Sequence, residues 1–96
     1  MTARYHPRTL VRISDATGEA AFQYDLEAME ALCDRIGGEY VKRMVEGILA
    51  YNPKMIRLCA RRMLKNTDMT TDQVLAAVPV RVIAEKLLDA IFTMNH

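Results

Sequence analysis

Hydrolysis or group transfer needs a nucleophile, a base and a third group that orients the base, and the side chains able to take those roles here are few and scattered. The histidines are His6 and His96, both beside chain ends, where a fixed geometry is hard to hold. The cysteines, Cys33 and Cys59, lack the close spacing of a zinc or redox pair. A Cys–His couple would have to fold a terminus onto one of them, so both are expected to be buried, reduced thiols. Glu27, Glu30 and Asp34 recur at helical spacing beside apolar positions, the pattern of a solvated helix face. Gly37-Gly38 is not followed by Lys and Ser or Thr, so it is no phosphate loop and reads as a helix stop. Residue types alone therefore predict no enzyme: no catalytic group, no metal site and no cofactor.

Basic residues offer a different chemistry. Lys54, Arg57, Arg61 and Lys65 follow one another at spacings of three and four, with Arg62 alongside, and form the nominated partner-binding surface. Such a row can neutralise phosphates, rest on an acidic protein groove, or simply be the wet side of a helix. The charge around it is segregated. Residues 1–14 carry Arg4, Arg8 and Arg12 and no acid, residues 15–46 have a net of −5, residues 47–65 a net of +5 and the remainder −2, closing on +1 overall. Near neutrality disfavours nucleic acid, whose binding domains carry a basic excess, and favours complementary contacts within a chain or between copies.

The elements that would position these groups are legible from apolar periodicity and caps. Residues 1–8 are expected to be a flexible lead-in, and residues 9–25 to form a β-hairpin. Val11 and Ile13 alternate on one arm and Phe22 and Tyr24 on the other, with Asp15-Ala16-Thr17-Gly18 as the turn. A lone hairpin is marginal in water, so that face should pack on helices or pair with another sheet edge. Residues 26–95 read as about five helices. Asp25 caps the first, whose stripe is Leu26, Met29, Leu32, Cys33 and Ile36. Tyr40, Val41, Met44, Val45, Ile48 and Leu49 make the second, and Asn52-Pro53 opens the third, with Met55, Ile56, Cys59, Met63 and Leu64 turned inward. Thr70-Thr71-Asp72-Gln73 has the form of a capping box, with Met69 and Val74 placed as its apolar staple. Pro79 then separates a short helix from a last one striped by Val80, Ile83, Ala84, Leu87, Ile91 and Met94.

The 96 residues suit one domain of the α+β class, predominantly α, an N-terminal hairpin followed by about five short helices. A core this small favours a homo-oligomer. No apolar run is long enough for a membrane span and the first residues lack a secretory h-region, so a cytoplasmic location is expected. Seven methionines, six of them internal, fill irregular cores or line adaptable apolar surfaces.

From Phe22 onward the order of parts resembles the small tail assembly chaperones of long-tailed bacteriophages and gene transfer agents. The resemblance rests on residues 22–37, FQYDLEAMEALCDRIG, on TTDQVL from Thr70 as a helix start, and on a terminal amphipathic helix ending in Ala90-Ile91-Phe92. It covers about three-quarters of the chain as a pattern of element order and short apolar words, without a diagnostic motif. It implies a non-enzymatic protein of the host cytoplasm that coats the long, aggregation-prone tape measure protein and gives way as tail tube protein polymerises. The alternative is a small nucleic-acid-binding regulatory protein using Arg57, Arg61 and Lys65 of the basic third helix as phosphate contacts.

Overall fold

The protein's structure, a computed structural model, describes residues 10–12 and 19–93. In order, it contains β1 (Leu10–Arg12), β2 (Glu19–Phe22), α1 (Leu26–Ile36), α2 (Tyr40–Leu49), α3 (Pro53–Met63), β3 (Leu64–Lys65), α4 (Thr71–Ala77) and α5 (Val80–Thr93). The class is α+β, predominantly α, with the hairpin at the N-terminal side and five helices after it. The expected lead-in and turn, with His6, Ile13, Gly18, Met94 and His96, lie outside the described residues.

The hairpin pairs Leu10 with Ala21, Val11 with Ala20 and Arg12 with Glu19. Its second strand ends at Phe22 rather than Asp25, because Asp25 is already committed to α1: its carboxylate accepts from the Ala28 N–H at 2.9 Å. The far edge of β2 does not stay open. Leu64 and Lys65 pair antiparallel with Phe22 and Ala21, and the Gln23 N–H donates to the Met63 carbonyl at 2.8 Å. The helical region expected over 26–95 is therefore interrupted by a short strand that satisfies an edge which would otherwise need water or a partner.

One hydrophobic cluster draws on β2 and all five helices, with Phe22, Leu32, Met44, Ile48, Met63, Ile83 and Leu87 at its centre. Local caps fix where most helices begin. The Asn52 side chain accepts from the N–H groups of Lys54 and Met55, and Pro53 follows it in the first turn of α3. Thr70 and Gln73 form the full reciprocal capping box of α4. Gly37, at φ 91°, ends α1.

Several positions expected in the core face outward instead. In α1 the buried residues are Ala28 and Leu32, while Leu26 and Cys33 are exposed. The buried side of α1 thus runs through small Ala28 and Leu32, and Leu26 lies off that side. In α2, Val41 and Leu49 are exposed although Met44 and Ile48 are fully buried. Val80, expected to begin the inner stripe of α5, is also exposed. The core-facing line of that helix runs instead through Ile83, Ala84, Leu87, Ala90 and Ile91.

Candidate functional site

The nominated basic surface is built on α3. Helical periodicity brings Lys54, Arg57 and Arg61 onto one line, on the side away from buried Ile56, Cys59, Ala60 and Met63. Lys65 does not join them. The helix stops at Met63 because Leu64, at φ −68° and ψ 129°, turns into the strand ladder beside Phe22, and Lys65 goes with it. Its ammonium lies 3.7 Å from the carboxylate of Asp25, the same side chain that caps α1. Arg57 is occupied as well, in an ion pair with Asp72 in the first turn of α4. Lys54, Arg61 and Arg62 are left exposed and, among the described residues, without an ion pair.

The thiols separate into two kinds. Cys59 is fully buried, and burial pushes its pKa up to about 12, which leaves it protonated and inert. Cys33 is exposed on α1, contrary to its expected place in the core. At the margin of the core, the Tyr24 hydroxyl donates to the Tyr40 hydroxyl at 3.1 Å. Burial first, and then that hydrogen bond, raise its pKa well above the phenol range. Among the described residues no three His, Cys, Asp or Glu side chains gather as a metal site would require. Nor does any buried side-chain nitrogen or oxygen there lack a hydrogen-bond partner.

No family model, curated protein or solved structure matches this chain.

An apolar groove of the surface lies between α2 and α5. The groove, of about 300 Å³, is lined by Ile48, Leu49 and Tyr51 on one side and by Arg81, Ala84, Glu85 and Leu88 on the other. Its apolar character continues along both helices. Val41, Val45 and Leu49 repeat every four residues on α2, and Phe92 stands one turn beyond Leu88 on α5. Leu49 is 63% exposed, Tyr51 50% and Phe92 60%, so large side chains here meet water that the core could have hidden.

Tyr51 reaches the groove through an unusual backbone. At φ 56° it occupies the left-handed region, which costs a residue with a Cβ about 1–2 kcal/mol and is usually left to glycine or asparagine. The turn is held by the Tyr51 N–H donating to the Ile48 carbonyl and the Asn52 N–H donating to Gly47. The groove is not legible in the sequence, because apolar spacing puts Leu49 in the core stripe of α2. The available signal was a tyrosine immediately before the Asn52-Pro53 cap, where a glycine would have been the easy residue. Among the described residues no helix is long and apolar enough to cross a membrane.

Proposed function

We propose that this protein is a non-enzymatic assembly chaperone that holds an amphipathic helix of a long, poorly soluble protein in the groove between α2 and α5. The observation that carries the reading is that exposed Leu49 and a tyrosine held at positive φ line one groove, with exposed Phe92 one turn beyond its residue Leu88 on α5. A groove between two helices, apolar along its floor and bordered by Arg81 and Glu85, suits the apolar face of a third helix. The resemblance from Phe22 onward supplies the client, the tape measure protein of a phage-type tail, with tail tube protein taking its place during assembly in the host cytoplasm. The nucleic-acid alternative is weakened by the ion pairs of Arg57 and Lys65, which neutralise two of the three cations it relies on.

Co-expression with a tape measure protein tests the proposal. The client's soluble fraction should rise and the two proteins should co-purify, while Leu49→Asp combined with Phe92→Asp should abolish both effects without loss of helicity. An unchanged soluble fraction with the wild-type protein, or full activity of the double variant, refutes the reading. Tape measure and tube genes beside this one would add independent support.

A further inference from the structure

The cations left over on α3 have a counterpart of opposite sign elsewhere on the same chain. Glu27, Glu30 and Asp34 are all exposed on α1, and their periodicity sets them on the side opposite buried Ala28 and Leu32. Lys54, Arg57 and Arg61 show the same spacing of three and then four, so each row spans about 10 Å at 1.5 Å per residue. One row is entirely acidic and the other entirely basic. Within the molecule they do not neutralise each other. The ion pairs among the described residues join Arg57 to Asp72 and Lys65 to Asp25, and neither uses the acidic row of α1.

We infer that the protein associates with a second copy of itself through these faces, the acidic row of α1 in one copy lying against the α3 row in the other. In that row, among the described residues, Lys54 and Arg61 are the cations without an internal ion pair, and Arg62 adds another beside them. Two helix faces of matching length and opposite sign are complementary in the way that sets register and rejects wrong partners. The net charge of +1 means that copies do not repel one another at long range, so the local attraction is not opposed. The contact is separate from the α2/α5 groove, and Leu49→Asp should leave it unaltered.

Sedimentation of the full chain tests this. Association should be present at about 0.1 M salt and lost at about 1 M, as the screening length falls from ~10 Å to ~3 Å. Arg61→Glu with Arg62→Glu should weaken it on the order of a hundredfold, and so should Glu30→Lys with Asp34→Lys, since each sets like charges face to face. An equimolar mixture of the two reversed variants should associate again, because each then supplies the row the other lacks. Should a reversed pair fail to fold, Arg61→Gln with Arg62→Gln is read in the same way. A monomer at both salt concentrations, an oligomer indifferent to the reversals, or a mixture that stays monomeric overturns the inference. So does an Arg61/Arg62 reversal that changes duplex DNA binding and not mass, which would assign the cations to nucleic acid.

Discussion

Replacing Gly47 by alanine sets two effects of opposite sign against each other. Gly47 lies inside α2, where glycine is about 1 kcal/mol less favourable than alanine, so helix propensity alone predicts stabilisation. Its neighbour on α3 argues the other way. A Cβ at position 47 would meet Met55 Cγ at 2.7 Å and Met55 Cβ at 2.9 Å, closer than carbon atoms can pass. Rotation about the first side-chain torsion can move Cγ, but Cβ is fixed to the α3 backbone, and relief requires the two helices to separate. Overpacking of this kind typically costs ~1–3 kcal/mol, and an anchored clash belongs in the upper half of that range. The expected net loss is about 1–2 kcal/mol, a fall in Tm of roughly 5–15 °C for a domain of this size. Thermal and urea unfolding followed by helical circular dichroism measure it. Gly47→Ala introduced into a Met55→Ala background should cost roughly 1 kcal/mol less, because one of the two clashing atoms is gone. A Gly47→Ala protein with unchanged or higher Tm refutes the reasoning and makes propensity the stronger effect.

Three other outcomes follow from the same packing. Thr70→Ala removes the acceptor for the Gln73 N–H at the start of a seven-residue helix and should cost about 1 kcal/mol, read as a lower urea midpoint. A maleimide added to the native protein should modify Cys33 at once and Cys59 only in denaturant, and equal labelling rates would contradict the burial of Cys59. Alkaline pH should weaken the fold. The unfolded thiol of Cys59 loses its proton from about pH 9 and the native one only near 12, so stability is full below 9 and declines through that interval. The raised phenol of Tyr24 acts in the same direction, and a urea midpoint that rises from pH 8 to pH 10 would contradict both.

The features legible in the sequence were those decided within three or four residues. Asp25, Asn52-Pro53, Thr70 with Gln73, and the break at Pro79 all act on backbone groups a turn away, and each helix boundary they imply is present. Helix rotation was harder to read. Counting bulky side chains gives α1 a stripe through Leu26 and Cys33, but Ala21, Ala28, Ala60 and Ala90, which no expected stripe includes, are all buried. Alanine fills contacts where elements approach closely, and periodicity of large residues does not register it. Gly47 belongs with these, as its closeness to Met55 has no counterpart in local pattern. The basic row was half legible. Its spacing from Lys54 to Arg61 is helical, but nothing local marks Leu64 as the residue that leaves the helix for a strand whose partner lies on the far side of three helices.

That short strand also governs the route by which the chain reaches its fold. Phe22 and Leu64 are paired only after α1, α2 and α3 have been drawn into a closed loop. The helices can form early from local contacts, whereas the pairing of β2 with β3 needs a long loop to close, the slow and entropically unfavourable event in small domains. The Gln23–Met63 and Phe22–Leu64 links should therefore be late features of folding. An incompletely folded chain would present β2 with one edge bare, and at high concentration that edge is where one copy could pair wrongly with another.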